Sequence, residues 1–232
     1  MITNDPNDPA IWKTYQSPYY SPVNKWYKHK LYNAQFDQQI QEICPGYQGL
    51  GWRLATNWLK YVHTTNEPLN YLEIGALHGA NLITTKHLFG KHPQSKFVVI
   101  DPFADDDEYD EYKGEQDLNY NTFRTNVELS NFVNNVNLFH MRERSSTALP
   151  KLKDFYFDVI YIDGNHKPEN VLEDAVMAWR KLKSQGIMIF DDYDWQFEVC
   201  NTKRGIDAFV LGYADQIQAH KEHNGQYFVQ KI

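Results

Sequence analysis

Short apolar runs alternate along most of the chain with longer segments in which apolar residues recur every three to four positions. The runs cover residues 71–74, 96–100, 136–140, 157–162 and 187–190. Runs of this length with few polar positions are typical of strands buried on both faces, and the longer spacing is typical of amphipathic helices. The alternation therefore predicts a doubly wound α/β fold around a mostly parallel sheet.

Helices are predicted in the segments between these runs and after the last of them. The expected ranges are 80–89, 122–132, 168–186 and 204–213, with a short helix toward Leu152. The helix from Pro168 carries its apolar side as far as Leu182 and has Gly186 as its stop. Two strands near 216–220 and 225–231 complete a predicted sheet of seven strands, of which the C-terminal strand is antiparallel.

Residues 1–66 are predicted to form an N-terminal extension, and residues 67–232 the domain that contains the sheet. Residues 1–30 are rich in tyrosine, tryptophan, proline and asparagine, too aromatic for a simple disordered tail. Two interpretations stay open for this arm. It packs on its own domain or on a second subunit, as in a homodimer, or it is a lid that adds aromatic faces to a pocket. Two helices, at 32–43 and 51–63, are expected to follow it.

Composition and charge restrict the class of protein. The chain has 232 residues, 42% of them hydrophobic and 15% aromatic, which is enough to bury a core. Its formal net charge of −7 argues against a nucleic-acid backbone as the main partner. Cys44 and Cys200 have no metal-type spacing and are expected to be free thiols in a reducing compartment. Since no apolar run is long enough for a bilayer and residues 1–10 lack a signal-peptide pattern, we expect a soluble cytoplasmic protein.

The first apolar run leads into a glycine-containing turn that suits a nucleoside ligand. Glu73, Gly75 and Gly79 follow the pattern E-x-G-x-x-x-G, and a segment of helical character starts after the second glycine. Glycines let a ligand approach the backbone, and free N–H groups at the helix start can hold its polar end. The second run ends at Asp101, where an acid usually binds ribose hydroxyls, whereas Leu77 stands where a dinucleotide fingerprint has its second glycine. On this turn alone, a plain strand-to-helix connector stays open.

Acidic residues and a histidine follow two other runs. Asp163 and His166 come after the fourth run, and Asp191 and Asp192 come directly after the fifth. Neighbouring parallel strands end at the same edge of a sheet, so the three carboxylates are expected to converge there. Clustered carboxylates repel one another unless a cation lies between them, and Mg²⁺ suits such a ligand set. His166, with an ordinary pKa near 6.5, is expected to be the general base.

Each of these residues also has an ordinary structural interpretation. Asp163 can cap the turn before the next helix, and His166 can be a surface histidine. Asp191 and Asp192 can be solvated loop acids. The acidic stretch 104–112 is typical of a solvated loop, although it follows the second run, where substrate loops sit. A metal-assisted site is favoured because the four candidates together follow two buried strands.

Four segments together resemble class I S-adenosylmethionine (SAM)-dependent methyltransferases, and among these the branch of macrocin-type macrolide-sugar O-methyltransferases. The segments are E-I-G-x-x-x-G-x-N from Glu73, V-I-D-P-F around Asp101, F-D-V-I-Y-I-D-G-N-H from Phe157, and I-M-I-F-D-D-Y from Ile187. The resemblance implies a Rossmann-like fold, with SAM contacts at Glu73, Gly75, Ala76, Gly79, Asn81, Asp101, Phe103, Ser145 and Asp163. It also implies a divalent cation such as Mg²⁺ at Asp163, Asp191 and Asp192. His166 and Asp163 match the catalytic residues.

The reaction that the resemblance implies is transfer of a methyl group from SAM to a hydroxyl oxygen, which leaves S-adenosylhomocysteine (SAH). A sugar or another small molecule is the expected acceptor, with no nucleic-acid or membrane partner. Catechol-type relatives share the metal arrangement but have asparagine where this chain has Asp192, which favours the sugar-type branch. Four alternatives stay open: a metal-dependent catechol-type O-methyltransferase, a cephalosporin-hydroxylase-like oxygenase, a nicotinamide-dependent enzyme and a non-catalytic SAM-binding module.

Overall fold

The computed structural model describes residues 39–50, 55, 58, 61–62, 66–106, 113–132, 137–197 and 199–232. The strands within these residues are β1 Asn70–Ile74, β2 Lys96–Ile100, β3 Leu138–Met141, β4 Phe157–Ile162, β5 Leu182–Phe190, β6 Gln196–Phe197, β7 Cys200–Asn201, β8 Ile217–His223 and β9 Gln226–Lys231. Four of the five predicted apolar runs coincide with β1, β2, β4 and the second half of β5. The remaining run, predicted over 136–140, overlaps β3.

Five α-helices connect the strands in the described part of the chain. They are α1 Ala80–Phe89, α2 Gln116–Leu129, α3 Ser145–Ala148, α4 Pro168–Trp179 and α5 Thr202–Gly212. Single 3₁₀ turns follow α3 and α5, at Leu149–Lys151 and Ala214–Gln216. None of the described helices combines the length and the apolar composition needed to span a bilayer.

Seven of the described strands form one sheet in the order β3-β2-β1-β4-β5-β9-β8. Neighbouring strands from β3 to β5 pair in parallel, and β9 runs antiparallel to both of its neighbours. The predicted doubly wound sheet is therefore confirmed. The strand order reverses between β1 and β4, and a ligand crevice is expected at the carboxyl ends of these two strands.

Two apolar layers cover the faces of the sheet. On one face, Trp58, Tyr71 and Tyr161 are fully buried, with the Trp58 ring 5.1 Å from that of Tyr161. On the other face, α4 and α5 pack Trp179 against Phe209, with ring centroids 5.3 Å apart. Side chains alternate between the two layers along β1 and β4 because successive strand residues point to opposite faces. This double burial explains why the strand sequences are almost wholly apolar.

The helix predicted over 168–186 is shorter than the sequence pattern indicates. It ends at Trp179, and β5 begins at Leu182, which is fully buried and pairs with Phe157 of β4. Gln185 has a φ of 64°, which a right-handed helix does not contain. Placing the helix stop at Gly186 was therefore wrong, because Leu182 continues the apolar spacing of α4 but belongs to the sheet.

Other differences concern the segment after β2 and the start of the chain. The helix predicted from residue 122 begins at Gln116. Residues 39–43 are helical, in agreement with the end of the helix predicted over 32–43. The aromatic arm, most of the helix predicted over 51–63 and residues 107–112 lie outside the described residues. The division between 1–66 and 67–232 stays a prediction.

Candidate functional site

A cavity of about 350 Å³ opens at the carboxyl ends of β1, β2, β4 and β5. Its size lies in the range of small-molecule sites. Its lining includes all but one of the site residues expected from the sequence, namely Glu73, Gly75, Ala76, Asn81, Asp101, Phe103, Ser145, Asp163, His166, Asp191 and Asp192. The exception is Gly79, where an added Cβ would lie 3.2 Å from the Phe123 ring, so this glycine serves the packing of α1 on α2.

The glycine turn after β1 lies directly against the turn after β4. Gly75 has a φ of +82°, and a Cβ added to it would lie 1.9 Å from the backbone oxygen of Asp163. The Gly75 N–H donates to the Ile100 carbonyl over 2.9 Å, which ties the turn to the end of β2 as well. Glycine is thus required at position 75 by both conformation and space.

Asp101 holds the glycine turn together at the end of β2. Its Oδ2 accepts the N–H groups of Ala76 and Leu77 over 2.8 and 3.2 Å, and its Oδ1 accepts the Phe103 N–H over 2.9 Å. Burial raises the pKa of this carboxyl, and the three N–H donors oppose the rise. Oδ2 accepts two of these donors and Oδ1 accepts one, so Oδ1 has a lone pair left for a ribose hydroxyl.

A buried polar group lies beneath the turn. Tyr71 donates its hydroxyl to Glu73 Oε2 over 2.6 Å, and Asn81 Nδ2 donates to the Tyr71 hydroxyl oxygen over 2.9 Å. Burial raises the pKa of Glu73 to about 8, although these donors oppose the rise. Asn81 Oδ1 is buried and accepts no hydrogen bond from the described residues. It is therefore an acceptor on the cavity wall that a ligand donor can satisfy.

The protonation of Glu73 predicts a pH dependence of stability. The folded protein retains this proton up to about pH 8, whereas an unfolded chain releases it above about pH 4.3. Stability from this group is thus fully present below the unfolded pKa and is lost as pH rises through the folded pKa. Between the unfolded and the folded pKa, this group should lower the unfolding free energy of the wild type by up to about 1.4 kcal/mol per pH unit. We expect Glu73→Gln to remove this decrease.

Urea unfolding at half-unit steps of pH measures this effect. Glu128→Gln, which changes an exposed carboxylate on α2, is the control and should keep the wild-type slope. If Glu73→Gln and the wild type have the same slope between pH 5 and 8, the Glu73 carboxyl is ionised in the folded protein.

His78 connects the glycine turn to the segment before the sheet and to α2. Its Nδ1 accepts the Leu50 N–H over 2.9 Å, and its Nε2 lies 3.0 Å from Asn119 Oδ1. Since Nδ1 accepts, the ring is neutral with its proton on Nε2. Burial lowers the pKa of this imidazole, which favours the neutral form. Leu50 lines the cavity, so this network positions one of its walls.

Asp163, His166 and Asp192 meet at the other end of the cavity. The His166 Nε2 lies 3.1 Å from Asp192 Oδ2 and 3.9 Å from Asp163 Oδ1. One ligand atom from each of the three residues lies within 4.8 Å of the other two, which is a spacing suited to a metal ion. We call these three residues the Asp-His-Asp corner. Thr202 bonds the Asp192 carbonyl through its hydroxyl and so fixes the backbone of the corner.

Asp191 lines the same cavity and is hydrogen-bonded to a tyrosine. Its carboxylate is buried, and its Oδ2 accepts the Tyr161 hydroxyl over 2.8 Å. The same hydroxyl lies 3.2 Å from Asp163 Oδ2, so Tyr161 bridges the two aspartates. Among the described residues, the metal-suited group contains His166 in the place predicted for Asp191. The structure thus brings all four candidates close together but groups them differently.

The sequence matches a known protein family over its central part. Residues 72–193, just over half of the chain, match the methyltransferase-domain family. The chain belongs to this family. The matched range begins in β1 and ends directly after Asp192, so it contains the glycine turn, Asp101 and the Asp-His-Asp corner.

Solved structures share the fold of this chain at low sequence identity. An O-methyltransferase from Bacillus cereus in complex with SAH is 15% identical with a TM-score of 0.55, covering 86% of this chain and 89% of that one. Cofactor-bound Rv0187 from MTB is 14% identical with a TM-score of 0.57, covering 93% and 99%. MycE of the mycinamycin biosynthetic pathway, with Mg and SAH, is 14% identical with a TM-score of 0.53, covering 83% and 53%. The resemblance to class I methyltransferases is thus confirmed for family and fold.

A curated relative is an uncharacterized protein, R132, of Acanthamoeba polyphaga mimivirus. It is 27% identical over 128 residues, which are 55% of this chain and 52% of that protein. The match thus spans about half the length of the curated relative.

Two further cavity residues were not predicted from the sequence. Asp174 of α4 is buried, and burial raises its pKa to about 7 although the Ser145 side chain opposes the rise. Trp195 lies with its ring 5.6 Å from the His166 ring. Asp174 stands three residues after Val171 on the apolar side of α4, and a charged residue at such a position is a signal that could have identified it. Trp195 follows β5 in an irregular segment, where spacing gives no signal.

The described part of the acidic segment also belongs to the cavity. Asp105 and Asp106 at its described start line the cavity, as do Lys113 and Gln116, which follow the segment, and Asp106 Oδ2 accepts a hydrogen bond from Asn165 Nδ2 over 2.9 Å. This contact joins the loop after β2 to the loop after β4. The interpretation that the segment lies at the site is therefore favoured over a purely solvated loop for its described residues.

Proposed function

We propose that this methyltransferase uses SAM, assisted by a divalent cation, to methylate a hydroxyl group of a sugar or another small molecule. The observation that carries the proposal is that one cavity contains both the glycine turn with Asp101 and the Asp-His-Asp corner. A nucleoside ligand and a metal-assisted hydroxyl can thus lie side by side. Proximity of this kind supplies much of the rate enhancement in group transfer.

The residues of the glycine turn fit SAM. The missing side chain at Gly75 lets the turn lie directly against the Asp163 backbone at the cavity wall, and Asn81 Oδ1 is an acceptor suited to the ammonium group of an amino acid. Asp101 lies at the strand end where acids bind ribose. Phe103, packed at 5.5 Å against Phe123, is a rigid apolar wall for a base. When bound, SAM supplies an electrophilic methyl group on a sulfonium sulfur.

The Asp-His-Asp corner fits a divalent cation. Two carboxylates and an imidazole are ligands of such ions, and their spacing allows all three to contact one ion. A cation held there supplies positive charge that lowers the pKa of a neighbouring hydroxyl. The corner would orient the acceptor hydroxyl beside the ion, and an aspartate oxygen of the corner that does not contact the ion would take the hydroxyl proton.

The descriptions of two structural neighbours support an oxygen atom as the methyl acceptor. The Bacillus cereus protein is an O-methyltransferase, and MycE has been solved with Mg, SAH and mycinamycin VI. Likeness at this level of identity concerns the fold, so the sugar acceptor rests on the resemblance of the motifs and on the chemistry of the corner.

Calorimetric titration tests the cofactor. We expect SAM and SAH to bind with micromolar affinity, with and without Mg²⁺, and NAD not to bind, because the turn has Leu77 where a pyrophosphate site has glycine. If neither SAM nor SAH binds the folded protein, the proposal is contradicted. If SAH binds but no hydroxyl acceptor is methylated in a screen with labelled SAM, the chain is a binding module.

A further inference from the structure

We infer that His166 is a ligand of the metal ion and that the Asp-His-Asp corner prefers a first-row transition ion such as Mn²⁺ to Mg²⁺. The inference rests on the proposed function, which requires a metal ion. It adds which residues bind that ion and which class of ion they prefer. It differs from the set of three aspartates predicted from the sequence. It also gives His166 a role other than general base.

The geometry of the corner favours direct ligation. A carboxylate oxygen can only accept, so the 3.1 Å contact between Asp192 Oδ2 and His166 Nε2 needs either a proton or a cation between the two atoms. Ligands at about 2.1 Å in an octahedral site lie about 3 Å from their neighbours. The 3.1 Å separation is near that spacing, and the 3.9 Å separation lies between it and the distance of about 4.2 Å across the ion. A single ion can therefore contact an oxygen of each aspartate and the imidazole.

The surroundings hold the His166 ring in this position. Only 13% of its side chain is exposed, and the Trp195 ring lies 5.6 Å away as one wall. The Asn201 N–H donates to the His166 carbonyl over 3.1 Å, which ties its backbone to the start of α5. A ring fixed by packing keeps its nitrogen at one place, which metal ligation requires.

The fourth candidate is engaged in a different contact. Asp191 Oδ2 accepts the Tyr161 hydroxyl over 2.8 Å, and that hydroxyl also lies 3.2 Å from Asp163 Oδ2. Asp191 thus positions Asp163 through Tyr161 from behind the corner. Groups that hold a ligand in this way orient it without contacting the ion.

The donor set indicates the class of ion. Mg²⁺ prefers oxygen ligands and retains several waters, whereas imidazole nitrogen suits first-row transition ions. Two carboxylates beside one imidazole suit Mn²⁺ or Fe²⁺ better than Mg²⁺. A nitrogen lone pair that binds an ion cannot also accept a proton, so ligation excludes Nε2 of His166 as the general base.

Electron spin-echo measurements on the Mn²⁺-loaded full-length protein test the inference. We expect ¹⁴N modulation from one histidine in the wild type and Mn²⁺ binding at least about tenfold tighter than Mg²⁺. His166→Gln should lose the modulation and weaken Mn²⁺ binding by about 10- to 100-fold. Asp191→Asn should retain the modulation. His87→Gln, which changes an exposed histidine on α1, is the control for adventitious binding and should match the wild type.

Several outcomes would overturn the inference. Absence of ¹⁴N modulation in the wild type, equal affinity for Mn²⁺ and Mg²⁺, or loss of Mn²⁺ binding in Asp191→Asn but not in His166→Gln would each do so. Circular dichroism shows whether each variant folds. SAH titration of the same samples without metal tests the proposed function separately. If SAH does not bind, the evidence for Mn²⁺ ligation by His166 is unaffected. If His166 does not bind Mn²⁺, the SAH affinity still tests the cofactor.

Discussion

Gly75→Ala is expected to abolish SAH binding and to lower the free energy of unfolding by roughly 2 to 5 kcal/mol. The substituted Cβ would lie 1.9 Å from the Asp163 backbone oxygen, and φ at this position is +82°. Backbone cannot yield as a flexible side chain can, so the turns after β1 and β4 must separate. The separation would disturb the glycine turn and the Asp-His-Asp corner together. Calorimetry with SAH and urea unfolding measure the two effects.

Gly114→Ala is the matched control for this substitution. Gly114 has a φ of +79°, nearly that of Gly75, but nothing lies within 4 Å of an added Cβ. We expect it to cost about 1 kcal/mol from the left-handed conformation alone and to leave SAH affinity within threefold of the wild type. Equal losses in the two variants would mean that conformation, and not the approach of Asp163, requires glycine at position 75.

The parallel part of the fold could be predicted from the sequence because its strands are buried on both faces. Once the helices between them are assigned, apolar runs such as 157–162 can only be buried strands. The observed β4 has the same bounds as that run. The pattern failed at Leu182, where one apolar residue fits the spacing of α4 as well as the pairing of β5. Spacing along the chain cannot decide between a helix face and a sheet position that lies next to it.

The location of the site could be predicted, whereas its internal grouping could not. Topology alone places Asp163 and Asp191 side by side, because Ile162 pairs with Phe190 in the register of β4 and β5. Which carboxylates join His166 in the corner depends on Tyr161, whose hydroxyl donates to Asp191. Asp192 has a φ of +51°, a conformation that no sequence pattern indicates for an aspartate. The contact of Asp191 depends on side-chain packing and the position of Asp192 on the conformation of one turn, and the sequence pattern describes neither.

The loops after β2 and β4 explain why the cavity is built from residues far apart in the chain. Asn165 bonds Asp106, Gly75 contacts the turn at Asp163, and Asp101 holds the glycine turn. Each contact joins the carboxyl ends of different strands. These contacts join the glycine turn to the Asp-His-Asp corner, so a change in one turn is expected to affect both.

Asp101→Ala is expected to weaken SAH binding by about 100-fold or more, because three backbone N–H groups lose their acceptor. The glycine turn would then lose its link to the end of β2, in addition to any contact of Asp101 with ribose. The free energy of unfolding should fall by roughly 2 to 4 kcal/mol. Isothermal titration with SAH and urea unfolding under the same conditions measure both quantities.

Asp158→Ala separates loss of the site from loss of stability. Asp158 accepts the Asn70 N–H over 2.8 Å and pairs with Lys183, but it lies at the amino end of β4, away from the cavity. We expect a comparable loss of stability with SAH affinity within threefold of the wild type. If Asp158→Ala weakens SAH binding as much as Asp101→Ala, then general destabilisation accounts for the effect. If Asp101→Ala keeps wild-type affinity, the carboxylate holds neither the turn nor the nucleoside.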